Sequence, residues 1–249
     1  MNLFKKSLPQ YTGKKPDFII AGFSKCGTTA LARNLDKHPD IKIGRLHDGK
    51  GELMFFNDKK RWEKGYKWYF NHFNAACAGD KTPSYVYTSE CMERIANILP
   101  EIKLIFCVRN PVDRLISWYN HKIIRDKKLS PETFPFSSYR SFYMGHMYDP
   151  LLTGCYATVI RENVIPFLSL NCCHFVVQEH MILNPEHEVQ RILKFLGVSK
   201  HSIDCSHHNV SRKRVLIDNE LRSEIVEFYK KHNEEFSALT GISLTHWNQ

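Results

Sequence analysis

Between Asp17 and Leu35 the chain reads DFIIAGFSKCGTTALARNL, and no other stretch constrains the fold as tightly. The apolar, β-prone run Phe18-Ile19-Ile20 meets a loop bounded by Gly22 and Gly27, and residues with helical apolar spacing follow. Strand, glycine-bounded loop and helix in that order make a phosphate-binding turn. The helix amino terminus presents unpaired N–H groups and its dipole favours an anion. The glycine spacing is that of a Walker A loop, yet Thr28 stands where the Walker lysine belongs and Lys25 sits inside the loop. A nucleoside triphosphatase needs that lysine on its β- and γ-phosphates and a neighbouring hydroxyl for magnesium. A loop with its lysine on the near side is built for a different anion. Its candidate ligand-binding residues are Ser24, Lys25, Cys26, Gly27, Thr28 and Thr29.

A second segment follows the same logic. Lys103 to Val108 (KLIFCV) is a continuous apolar run, as in a parallel sheet covered on both faces. Asn110 then reads as a helix cap and Pro111 as the first helical residue, with the helix reaching Arg125. Arg109 at the strand's carboxyl end and Ser117 about two turns into the helix can converge on one phosphate. An adenosine 3′-phosphate suits that pair, whereas Arg114 reads as structural. A third segment, Ser211-Arg212-Lys213-Arg214, is a basic run that can close over a nucleotide as a lid.

Two more residues have the chemistry for group transfer. Glu52 stands before the apolar Leu53-Met54-Phe55-Phe56, where partial burial would raise its pKa and fit it to take a proton from a hydroxyl or amine. His47 and Asp48 are the nearest alternative bases. Lys81, in GDKTPSY, precedes a turn and can reach a transferred anionic group. The thirteen histidines show no H-E-x-x-H or comparable spacing, so no metal site is expected.

Strands alternating with helices predict an α/β fold. The expected form is a P-loop-like three-layer domain with a central parallel sheet of about four or five strands flanked by helices. Helices are predicted over Thr28–Lys37, Thr88–Leu99, Tyr156–Leu168, Pro185–Phe195 and Asp218–Leu239, and helical spacing of aromatics over Trp62–Phe73. A further buried strand is predicted over His174–Gln178. Residues 1–249 read as a single domain with a flexible arm over 1–16.

Composition narrows the class. With 43% hydrophobic and 24% charged residues the chain is globular, and its net charge of +9 points to an anionic partner. The opening MNLFKKSLPQYTGKKPD lacks the apolar core of a secretory leader, and no run reaches the length of a membrane span. The eight cysteines contain no C-x-x-C and read as reduced, mostly buried thiols; adjacent Cys172 and Cys173 on a strand would face opposite ways. A cytoplasmic protein with no membrane and no nucleic-acid partner is therefore expected.

Taken together, GFSKCGTTAL, CVRNPVDRLISWYNH, GELMFF, KGYKWYFNHF and GDKTPSYVY resemble, in kind and order, the segments of the sulfotransferase superfamily. The match is closest in flavour to its glycosaminoglycan branch. The resemblance implies PAPS (3′-phosphoadenosine 5′-phosphosulfate) as sulfuryl donor, PAP as product, and no metal. It implies Lys25 on the leaving phosphate oxygen, Glu52 as base and Lys81 near the sulfonate. Arg109 and Ser117 would hold the 3′-phosphate, and Arg212, Lys213 and Arg214 the nucleotide lid. Met54 stands where the family often has His, and SRKR replaces its Ser-Lys-Gly-Arg. The acceptor expected is a small-molecule metabolite, with a saccharide or glycosaminoglycan-like chain as the alternative. Residues 126–150 and the Gly44–Gly51 loop would shape its pocket. The rivals are a P-loop kinase, which lacks its Walker lysine here, and a polyanion-binding module.

Overall fold

The apolar run at Phe18 becomes β1 (Phe18–Gly22), buried at every residue, in the middle of a five-stranded sheet. The computed structural model describes residues 13–46, 51–125, 149–205 and 217–249, together with 130 and 136. The other strands are β2 (Ile41–Ile43), β3 (Cys77–Lys81), β4 (Lys103–Val108) and β5 (Cys173–Val177). Their order is β2-β3-β1-β4-β5 and every pairing is parallel. Parallel neighbours require crossovers, and helices supply them: α1 (Thr28–Leu35), α2 (Lys59–Trp62), α3 (Gly65–Phe70), α4 (Ser89–Ile98), α5 (Pro111–Arg125), α6 (Tyr156–Asn163), α7 (Gln178–Leu183), α8 (Pro185–Leu196) and α9 (Asn219–Thr240).

Chain direction reverses across the β1–β4 seam. The chain leaves β1 towards β3's side of the sheet and leaves β4 towards β5. Ligands of open α/β sheets bind beyond the carboxyl ends of the strands at such a switch point. The loop after β1 and the turn after β4 meet there, tied by the Phe23 N–H donating to the Cys107 carbonyl at 2.8 Å.

Local chemistry explains where most elements start and stop. Asn110 Oδ1 accepts from the Val112 N–H at 3.0 Å and caps α5. Asn184 caps α8 with Pro185 at its first position, and Gly197 ends it in the left-handed region (φ 78°). The predicted helix over Tyr156–Leu168 stops at Asn163 instead, because Pro166 offers no N–H and its ring crowds the preceding turn. The predicted aromatic helix over Trp62–Phe73 is two short ones, separated at Gly65 with φ 76°.

The core lies against the sheet and is extended by aromatic packing. Phe55 stacks on Tyr69 with centroids 4.6 Å apart, and Phe56 meets Tyr69 and Tyr85 edge-on. Each such fully buried ring contributes roughly 1.5–3 kcal/mol, so Glu52 is anchored through the segment that follows it. A second cluster joins Val112, Leu115 and Tyr119 of α5 to Ile225 and Tyr229 of α9. No helix among the described residues is long and apolar enough to cross a membrane.

Candidate active site

The loop after β1 presents an uncapped helix to the site. Gly27, at φ 83°, takes a conformation that a side chain would strain, and it lets the chain turn directly into α1. No side chain caps α1 and no acid occupies its first turn, so its leading N–H groups stay open to an anion. Thr28 is buried and Thr29 half-buried at this end. The loop's backbone is braced from behind: the Ser24 N–H donates to Tyr87 Oη at 2.9 Å and its carbonyl accepts from Arg114 Nε at 3.1 Å.

Arg114 is fully buried and also donates to the Pro150 carbonyl, Tyr87 Oη and Thr153 Oγ1, at 2.9, 3.2 and 2.8 Å. It ties the loop to the turn at 149–153, which is the structural part expected of it. Cys26 turns inward, 1% exposed, with its Sγ 3.6 Å from Tyr156 Oη; burial above all pushes its thiol up to about 11. Among the loop residues read as ligand-binding, Cys26 therefore brings no side chain to the anion. Its N–H is also taken, by the Phe23 carbonyl.

Lys25 and Arg109 converge. Burial, and then the positive charge of Arg109, holds the Lys25 ammonium below its ordinary pKa. Among the described residues no carboxylate pairs with either cation. Two half-buried, uncompensated cations beside an open helix terminus are an electrostatic vacancy for a polyanion. Arg109 is positioned by the Tyr156 hydroxyl, which donates to its carbonyl at 2.7 Å, and by the next residue, whose N–H donates to Glu179 Oε1 at 2.8 Å.

Ser117 is half-buried on α5. His121, one turn further on the same face, is held below its usual range by burial, then by the charges of Lys25 and Arg125. The Ser117 face of α5 therefore looks towards the loop. His121 was not among the predicted residues, although its i+4 spacing from Ser117 marks it. Gln178 was missed too. Its side-chain amide packs against Gly27, within 3.5 Å of where a Cβ would stand, and Gln178 Oε1 is buried without a hydrogen-bond partner among the described residues.

The other half of the site comes from β3. Lys81 lies level with Ile20 of β1, and its Nζ is 2.7 Å from Glu52 Oε1. Partial burial is expected of Glu52 beside its apolar segment, and the structure adds an ion pair with Lys81 that the sequence does not show. The Glu52 side chain is 30% exposed and the Lys81 side chain 15%, so the pair is half-buried, with its ammonium the more shielded. Arg61 Nη1 donates to the Glu52 and Leu53 carbonyls, at 2.6 Å each.

Beneath the pair lies Asp80, fully buried, accepting hydrogen bonds from Tyr69, Tyr85 and Thr82 at 3.0, 2.9 and 3.0 Å. The same Tyr85 and Thr82 oxygens accept from the Phe55 and Met54 N–H groups, at 2.8 and 3.3 Å. One carboxyl group thus organises the backbone that carries Glu52. Burial drives the Asp80 pKa up from 3.8 to about 6, against the pull of its three hydroxyl donors. With the folded value raised, this group's stabilising contribution is complete below about pH 4 and lost as pH rises through about 6. Two pKa units correspond to roughly 3 kcal/mol. Asp80→Asn should flatten that slope, measured as urea-unfolding free energy at several pH values from 4 to 7. Parallel profiles for wild type and variant would contradict it.

Residues 212–214, His47 and Asp48 lie outside the described residues, as do most of 126–150 and part of the Gly44–Gly51 loop. Among the described residues no group of three or more His, Cys, Asp or Glu is arranged around a metal ion.

An open helix terminus beside two cations unpaired among the described residues, together with a carboxylate–lysine pair at the neighbouring strand, suits a transferase for a highly anionic donor. The family model for the sulfotransferase domain matches residues 15–239, and the chain belongs to that family. This is the enzyme class that takes its sulfuryl group from PAPS. The chain is 27% identical over 275 residues to the mouse bifunctional heparan sulfate N-deacetylase/N-sulfotransferase 4, covering 93% of this chain but 31% of that relative. It is 28% identical to human heparan sulfate glucosamine 3-O-sulfotransferase 6, over 91% of this chain and 72% of the relative. The crystal structure of a sulfotransferase from Alicyclobacillus acidocaldarius superposes with a TM-score of 0.78 at 24% identity, covering 95% of this chain and all of that one. That likeness establishes the fold.

Proposed function

We propose that this chain moves the sulfuryl group of PAPS to a hydroxyl or amine of a saccharide. The observation that carries the donor half is the convergence of Lys25 and Arg109, unpaired, beside the open end of α1. PAPS supplies the activated sulfuryl group. The α1 N–H groups with Thr28 and Thr29 hold its 5′-phosphate, and Arg109 and Ser117 its 3′-phosphate. Lys25 would hold the 5′-phosphosulfate end of the donor, where a fixed ammonium lowers the barrier as charge develops on the leaving phosphate. Glu52 accepts the acceptor's proton, and Lys81 holds Glu52 while offsetting sulfonate charge. Arg212, Lys213 and Arg214 are assigned to the lid on their sequence alone.

For the acceptor, the relatives named for heparan sulfate support a saccharide over the small metabolite expected from the sequence. The surface beside Glu52 supports it too. Lys59, Lys60 and Lys64 are exposed on the segment whose Arg61 grips the Glu52 carbonyl, a setting suited to an anionic chain. A small metabolite remains the second reading, favoured by Met54 in the place where the family often has His. A screen with radiolabelled PAPS distinguishes them. Label in heparan-type oligosaccharides supports the proposal, and label only in small alcohols, phenols or amines contradicts it.

Turnover should survive EDTA, because a fixed ammonium stands where a triphosphatase would use a metal-bridged phosphate. A strict magnesium requirement at the chemical step, seen in single-turnover assays with and without chelator, would contradict this assignment.

A further inference from the structure

Adjacent cysteines at the start of a strand should project to opposite faces, but Cys172 and Cys173 do not. Cys172 ends a short 3-10 turn (Leu170–Cys172) and only Cys173 enters β5, so strand alternation does not separate them. Both thiols reach one acceptor: the Ser169 carbonyl oxygen is 2.9 Å from Cys172 Sγ and 3.6 Å from Cys173 Sγ. Ser169 is itself fixed, its hydroxyl oxygen accepting from the Asn171 N–H at 3.2 Å. Both cysteines are half-buried, whereas Cys26, Cys77, Cys91, Cys107 and Cys155 are buried and Cys205 has no adjacent cysteine in the sequence.

We propose that Cys172 and Cys173 form a vicinal dithiol site that chelates soft, thiol-seeking trivalent arsenic. Two converging sulfurs on neighbouring residues are a ready bidentate ligand, and soft thiolates select soft centres. The neighbouring Cys173 holds the Cys172 thiol below its ordinary pKa, against burial acting the other way, which favours the Cys172 sulfur as the nucleophile. With an arsenoxide, two As–S bonds form and the arsenic–oxygen bond breaks. The oxygen leaves as water with the two thiol protons. Arsenic stays trivalent throughout, and no oxidant is consumed. The site lies at the amino end of β5, about 13–17 Å along the strand from the Gln178 end, and uses no residue of the transferase site.

The test is intact-mass measurement of the native protein with one equivalent of phenylarsine oxide. One adduct is expected, reversed by 2,3-dimercaptopropanol and not by the same concentration of a monothiol. Cys172→Ser and Cys173→Ser should each abolish it, and Cys205→Ser should keep it. On the wild-type protein, the adduct should protect Cys172 and Cys173 from N-ethylmaleimide in peptide mapping, which needs no variant to fold. No adduct, an adduct that persists in Cys172→Ser, or an adduct that leaves both thiols reactive would overturn the proposal.

Discussion

Replacing Glu52 by glutamine lowers kcat by about 10²–10⁴, the usual contribution of a positioned general base, and leaves the affinity for adenosine 3′,5′-bisphosphate at the wild-type value. The split follows from geometry. Glu52 is bound to Lys81 at 2.7 Å, and its backbone is held by Arg61. Glutamine keeps the size and an oxygen for Lys81 to donate to, but it takes no proton from the acceptor. Steady-state kinetics with the true acceptor and calorimetric titration of the bisphosphate read the two effects separately. Near-normal turnover in the variant would move the base elsewhere, with His47 and Asp48 the first positions to try.

Lys25→Ala is expected to behave differently, because Lys25 is assigned to the donor. Removing an electrostatic stabiliser of the developing charge should lower kcat by roughly 10²–10³. Losing a charge-assisted contact of about 1.5–3 kcal/mol should also weaken the bisphosphate, by about 10- to 100-fold. Part of that loss is offset, since Lys25 and Arg109 repel each other in the free protein and the variant relieves this. A kcat defect with fully wild-type bisphosphate affinity would show that Lys25 does not touch the donor.

The segments assigned to the donor are legible because they are local. From Lys103 to Arg125 a single stretch carries an apolar strand, a capping Asn110, Pro111 and a helix, and β4 and α5 have the predicted bounds. The β1–loop–α1 unit is equally local, apart from Cys26, whose inward turn depends on Tyr156, 130 residues away. The acceptor half was harder to read. β2 has three residues, and β3 reads CAGDK, whose Gly, Asp and Lys disfavour a strand when judged alone. β3 becomes a strand because burial between β2 and β1 overrides its propensity, whereas β2, at the sheet edge, is too short to stand out in the sequence.

Asp80 shows the same limit. Nothing in GDKTPSY announces a fully buried carboxyl, since its Tyr69 partner comes from α3 and the backbone it supports lies at 54–55. The Glu52–Lys81 pair spans 29 residues. Sequence neighbours suggest only partial burial for Glu52, and tertiary contact supplies the Lys81 ammonium. Cys172 and Cys173 failed as a strand pattern because a turn boundary falls between them.

The most direct test of the central assignment is ligand selectivity in thermal unfolding. If Arg109 and Ser117 hold a 3′-phosphate while the α1 terminus holds a 5′-phosphate, adenosine 3′,5′-bisphosphate should raise the melting temperature, and AMP or ATP–magnesium should do little. At about 100-fold excess over Kd the stabilisation is roughly 2.7 kcal/mol. For a chain of this size that corresponds to about 5–10 °C. Equal shifts with ATP–magnesium and the bisphosphate would contradict a donor site built for PAPS.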